Sequence, residues 1–244
     1  METRERIGVF GGCFNPVHLA HLRAAVEAAE RLHLTRLDFV PAARPPHKPD
    51  VPMLGFDLRV RLLRAAVADA PLFRVNVLEA DRPGPSFTCD TLARYREANP
   101  DAEIFFLMGA LDLLHLASWR RGFELGHFAH LAVLAREGLD FVRVEAFLAV
   151  EGAALAAAPR RVEADVAGPG QVRAAWTIAG GHHLYFLEIP RLDISSSLLR
   201  ERWRRGGSLR YLVPEAVFSA LESRRGEVDR LWGEGGGVWP QATS

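Results

Sequence analysis

Two histidines three residues apart, His18 and His21, follow a glycine pair in the stretch GGCFNPVHLAHL, residues 11–22. At i and i+3 in the first turn of a helix their imidazoles share one face and reach the same anion. They do so as neutral donors or as cations, according to pH. Gly11 and Gly12 let a ligand come close to the backbone, and a helix N-terminus adds unpaired N–H groups and the positive end of its dipole. The chemistry these residues suit is the holding of phosphate. Asn15 and Pro16 fit a tight turn entering the helix. Singly, each glycine could make only a turn and each histidine could be an ordinary surface or core residue; it is the combination that points to an anion.

The elements that must position these residues can be read in order. Ile7 to Phe10 form a short apolar run, a buried strand, and residues 18–32 carry the apolar spacing of an amphipathic helix. RLDFVPA predicts a second strand, followed by the proline-stiffened loop RPPHKP with His47 and Lys48. Residues 55–70 predict a helix with Leu58, Leu62, Leu63 and Val67 on one side, and FRVNVLE a third strand. Residues 85–100 predict a loop opening a helix capped near Thr88 or Asp90 and stopped at Asn99 and Pro100. EIFFLMG predicts a strand ending on Gly109, and HLAVLAREG one ending in Arg136. Residues 139–182 show no clean period. LYFLEIPRLDISSS predicts a strand and a serine cluster opening the helix LLRERWRR, and a terminal helix starts near Pro214, an allowed first-turn proline. Strands alternating with helices predict an α/β, Rossmann-like, doubly wound and mostly parallel sheet with helices on both faces. One domain over residues 1–227 is expected, with a flexible tail at 228–244. In such a sheet the strand ends share one edge, so the loops that follow them converge.

Composition narrows the classes. With 244 residues, 49% hydrophobic and 25% charged, the chain can fill a core. Thirty basic residues balance thirty acidic ones, which gives no global electrostatic case for nucleic acid or an anionic membrane. No apolar run has transmembrane length and no leader is visible, so a soluble cytoplasmic protein is expected. Cys13 and Cys89 are too few for a disulfide framework; both fall in segments read as functional, as small pocket-lining side chains or as a catalytic thiol. Of the thirty basic residues only Lys48 is a lysine, and a flexible ammonium in that loop suits phosphate.

These motifs together resemble the nicotinate-nucleotide adenylyltransferases of the nucleotidyltransferase superfamily, with their GxFxPxHxGH signature. Here it stands as Gly12, Phe14, Pro16, His18 and His21, with Ala20 in place of the second glycine. PPHK, SFTCDTL, the ten-residue spacing from Gly109 to Trp119, and ISSSLLR match in order along nearly the whole chain. The resemblance implies adenylyl transfer from ATP to nicotinic acid mononucleotide, by direct in-line attack without a covalent enzyme intermediate. It implies that Gly11, Gly12, Phe14, His18 and His21 form the ATP loop and that Ser196, Ser197 and Arg200 bind the β and γ phosphates, with Lys48 reaching in. It implies that Trp119 stacks on the nicotinate ring, that Thr88 meets its carboxylate, and that Asp112 and Arg136 contact the nucleotide. Mg2+ is expected with ATP, held by phosphates and water, with no carboxylate pair reading as a metal cage.

Bland readings stay open beside these: packing for Trp119, capping for Thr88, Asp90 and Ser195 to Ser197, a surface pair for Arg136. Three positions depart from the family pattern: Ala20, Leu111 where an aspartate is usual, with Asp112 one place later, and Glu137 where a proline is common. The competing functions are the same transfer to nicotinamide mononucleotide, pantetheine phosphate or an alcohol phosphate, and a nucleotide-binding module without catalysis. An oxidoreductase is disfavoured by the lack of GxGxxG. A homo-oligomer is left open.

Overall fold

The computed structural model describes residues 4–46, 51–135, 138–155, 160–162 and 172–233. Eight strands form one sheet: β1 (Arg6–Gly12), β2 (Arg36–Pro41), β3 (Phe73–Val75), β4 (Glu103–Gly109), β5 (His130–Ala135), β6 (Arg160–Val162), β7 (Ala174–Thr177) and β8 (His183–Glu188). Their order is β3-β2-β1-β4-β5-β8-β7-β6. The five pairings from β3 to β8 are parallel, whereas β8–β7 and β7–β6 are antiparallel. The doubly wound reading therefore holds over the parallel part, and the antiparallel pair lies in the stretch that had no clean period.

Alternation along the strands builds two cores, one on each face. On β4, Phe105 and Leu107 join the core formed by α1 (Leu19–Arg31), α2 (Phe56–Ala66), α6 (Ser196–Arg204), α7 (Glu215–Glu222) and α8 (Arg225–Trp232). Ile104, Phe106 and Met108 join the other, under α3 (Thr88–Ala98), α4 (Ala110–Leu114) and α5 (Gly138–Leu155). Both faces are covered, which is why β4 and β5 read as continuous apolar runs. Gly8 allows the chain after α1 to press on β1, since a Cβ there would lie 2.6 Å from Leu34.

Several boundaries move. The third strand spans only Phe73–Val75. Neither Thr88 nor Asp90 caps α3: Phe87 is the N-cap position, Thr88 is the first helical residue, and Asp90 pairs with Arg82. Pro214 sits at the N-cap of α7, just outside its first turn. The expected tail begins too early, because α8 continues to Trp232 and buries Val228 and Trp232. The β5 strand ends at Ala135; Arg136 and Glu137, like His47 and Lys48, lie outside the described residues.

At the edge where the strands start, His130 is buried and pushed down to about 3, by burial first and then by His182, His183, Arg6 and Arg96 around it. Arg4, Glu103 and Tyr185 line the same region. A histidine held neutral in the fold takes up its proton only on unfolding. Its contribution is thus complete above the unfolded value near 6.5 and is lost as pH falls from there toward 3. Unfolding free energy in urea is expected to drop by about 2 kcal/mol from this residue between pH 7 and pH 5. His130→Gln should flatten the dependence by that amount; an unchanged slope would place the effect elsewhere.

Candidate active site

A cleft of about 1010 Å³ opens at the edge where the parallel strands end. It is lined by Gly11, Gly12, Phe14, His18 and His21 from the first loop and helix, by Thr88 at the start of α3, by Asp112 and Trp119 after β4, and by Ser196, Ser197 and Arg200 of α6. Every candidate residue within the described part of the chain thus meets in one place.

The first loop is shaped by its own side chains. A Cβ on Gly12 would approach the Phe14 ring to 3.0 Å, and Phe14 takes a positive φ of 47°, uncommon for a side chain of its size. The Asn15–Pro16 peptide is cis. Asn15 ties the loop to the segment before α2, its amide donating to the Pro52 carbonyl at 2.9 Å and its oxygen accepting from Leu54 N–H at 3.0 Å.

His18 occupies the N-cap of α1 and His21 its third position. Their rings stack with centroids 3.6 Å apart at 24°. The His18 N–H donates to His21 Nδ1 at 3.3 Å, so the histidine does what the glutamate of a capping box does. An accepting Nδ1 places the proton of neutral His21 on Nε2. Ala20 between them is buried and lines the cleft.

The serine cluster divides its work. Ser195 Oγ caps α6 by accepting from Leu198 N–H at 3.2 Å. Ser196 Oγ donates to the Pro16 carbonyl at 3.0 Å. Arg200 donates to the Asn15 carbonyl at 2.9 Å and to Ser197 Oγ at 3.0 Å. Burial lowers Arg200 from its ordinary value, while its guanidinium range leaves it charged at neutral pH. Two hydroxyls and a cation are thereby fastened to the glycine-histidine loop.

On the other face, Trp119 lies half-buried with its ring edge-on to Phe106 at 6.3 Å, so it packs and also lines the cleft. Asp112 Oδ2 accepts from Gly109 N–H at 3.1 Å, fixing the start of α4, while Leu111 exposes 56% of its surface into the cleft region. Of the cysteines, Cys13 lines the cleft, whereas Cys89 is buried away from it and burial pushes its thiol up.

Sequence reasoning missed two arginines. Arg59 on α2 is 2% exposed and donates to the carbonyls of Cys13 at 2.8 Å, Ala42 at 2.9 Å and Leu54 at 3.0 Å. Burial lowers it from its usual value. In RVRLLR it reads as one of three alike helical arginines, and only its place opposite the loop distinguishes it. Arg120 lines the cleft with its guanidinium 4.6 Å from the Phe87 ring centroid and 3.8 Å from Asp90. Its signal was its adjacency to Trp119.

A cytidylyltransferase-like family model matches residues 9–202, which contain the first loop, the Thr88 and Trp119 segments and most of α6. A Geotalea uraniireducens protein named "Probable nicotinate-nucleotide adenylyltransferase" is 39% identical over 220 residues, 90% of this chain and 97% of that one. A Thermus thermophilus protein of the same name is 39% identical over 217 residues, 89% and 96% of the two chains. The solved structure of Plasmodium falciparum nicotinic acid mononucleotide adenylyltransferase complexed with NaAD has the same fold, with a TM-score of 0.63 at 14% identity over 92% of this chain and 98% of that one. A relationship this extensive, laid over the loop and cleft just described, shows that the chain belongs to the nicotinate-nucleotide adenylyltransferases of the cytidylyltransferase-like family.

Proposed function

We propose that the cleft transfers the adenylyl group of ATP to nicotinic acid mononucleotide, giving nicotinic acid adenine dinucleotide and pyrophosphate. The observation that carries this reading is the meeting of two different surfaces. Histidines, serines and an arginine suited to phosphate come from one side of the sheet, and Thr88 with the aromatic Trp119 from the other. The volume lies at the upper end for ligand pockets and admits two reactants together.

The acceptor phosphate is already a nucleophile. Its oxygen attacks the α-phosphorus of ATP as the bond to the β-phosphate breaks, and the electron pair leaves with pyrophosphate. Protein work is therefore positioning and neutralisation of shifting charge. His18 and His21 hold the phosphates around the α-phosphorus, with His21 Nε2–H as donor, and Gly11, Gly12 and Phe14 shape the floor. Ser196, Ser197 and Arg200 take the leaving phosphates, with Lys48 reaching in from its loop. Trp119 stacks on the acceptor ring, Thr88 meets its carboxylate, and Asp112 and Arg136 contact the nucleotide.

No group of three His, Cys, Asp or Glu donors suited to a metal occurs among the described residues, and the imidazole, hydroxyl and guanidinium donors of the cleft match phosphate oxygens. We read Mg2+ as arriving with ATP, held by its phosphates and water, where it would offset phosphate charge. No described helix is long and apolar enough to cross a membrane.

Pyrophosphate release from ATP and Mg2+ tests the proposal, with nicotinic acid mononucleotide run beside nicotinamide mononucleotide and pantetheine phosphate. The acid is expected to give the highest kcat/KM. Preference for another acceptor overturns the assignment of Thr88 and Trp119, and silence with all three favours a binding module.

A further inference from the structure

The edge of the sheet where β4, β5 and β8 begin carries a second cavity, of about 330 Å³, that the adenylyl transfer leaves unused. A column of flat groups runs beside it from strand to strand, and its histidines line the cavity. The Arg6 guanidinium lies 4.7 Å from the Phe105 ring centroid, Phe105 stacks on His130 at 4.7 Å, and His130 stacks on His183 at 5.6 Å. His182 meets His130 edge-on at 4.9 Å.

Hydrogen bonds fix how the imidazoles face. His130 Nδ1 accepts from His183 N–H at 2.9 Å. His182 Nδ1 lies 2.8 Å from the Gly126 carbonyl and so carries the proton, which turns its Nε2 as acceptor toward Arg96 Nη2 at 3.5 Å. His183 Nδ1 is buried without a hydrogen-bond partner.

The charges do not balance. Arg6 is paired with Glu103. Arg96 donates to the Ala102 and Phe128 carbonyls, and Arg4 to the Asp101 carbonyl, and neither forms an ion pair with a carboxylate among the described residues. Burial and the charge of Arg4 both lower Arg96. Arg4, which is exposed, and Arg96, which is half-buried, thus share a largely polar cavity with three imidazoles and with no carboxylate paired to either of them among the described residues.

We infer that this cavity binds a small oxyanion of the phosphate class, away from the adenylyl-transfer cleft. The anion supplies negative charge between Arg4 and Arg96 and accepts from their guanidiniums beside the imidazoles, as phosphate does from arginine forks elsewhere. The phosphate can be free inorganic phosphate, pyrophosphate or the phosphate end of a nucleotide.

Histidine NMR signals of the full chain, titrated with inorganic phosphate, pyrophosphate or AMP against chloride at matched ionic strength, test this. Saturable shifts of the His130, His182 and His183 signals are expected, with Arg4→Ala weakening the binding by roughly tenfold through loss of one charge-assisted contact. The response should persist in the His18→Ala/His21→Ala chain, whose cleft is impaired. Response to phosphate or pyrophosphate identifies a free anion, and response to AMP alone a nucleotide phosphate. Shifts no larger than those from chloride, shifts lost with the two cleft histidines, or unchanged affinity in Arg4→Ala each overturn the inference. Arg4→Gln, which keeps a donor without the charge, separates loss of charge from loss of local packing.

Discussion

Replacing His21 by alanine is expected to lower kcat for adenylyl transfer by on the order of 10²- to 10³-fold, with KM for ATP changed severalfold at most. The reason lies in what each ring nitrogen does. Nδ1 is engaged by the His18 N–H, so the proton sits on Nε2, the atom assigned to the charge that builds on the transferring phosphate. Loss of a donor that matters most in the transition state appears in kcat, whereas loss of uniform binding appears in KM. The substitution also removes a capping acceptor from α1, which costs about 1 kcal/mol of stability. Steady-state kinetics below the melting transition separate the two effects. A kcat within threefold of the parent would falsify the role given to His21.

The second large effect is expected at Arg59, far from the reacting atoms in sequence. Arg59→Leu leaves the Cys13, Ala42 and Leu54 carbonyls without their buried donor, and a loss of about 3–5 kcal/mol in unfolding free energy is expected. Because Cys13 belongs to the phosphate loop and Ala42 follows β2, the same change loosens the cleft floor, and KM for ATP should rise. Urea unfolding together with ATP kinetics checks both parts. A stability change under 1 kcal/mol shows that the three carbonyls find other donors, and the bridging role is then wrong.

The parallel core was legible because its signals are local. β1, β2, β4 and β5 announce themselves as apolar runs, and the glycine pair with His18 and His21 marks the helix that follows. The short β3 strand was over-read because VNVLE keeps a strand-like composition after the pairing with β2 has ended. The antiparallel β6–β7 pair was illegible because its pairing partners are set by tertiary contact and not by period. Thr88 and Asp90 looked like caps by residue type, yet Asp90 had a stronger competitor in Arg82, which sequence distance gives no means of weighing. Arg59 shows the same limit from the other side, since nothing in its own neighbourhood reveals three carbonyls contributed by other segments.

The contacts of α6 with the first loop join residues 180 and 185 positions apart, Ser196 to Pro16 and Arg200 to Asn15. During synthesis the ribosome releases the histidine loop long before it makes the residues that complete the phosphate site, and closing so long a loop comes late in folding. A nascent or truncated chain therefore carries the signature motif without a finished enzyme. Turnover begins only when α6 has docked on the first loop, so activity in this protein is itself a report that the two distant ends of the phosphate site have come together.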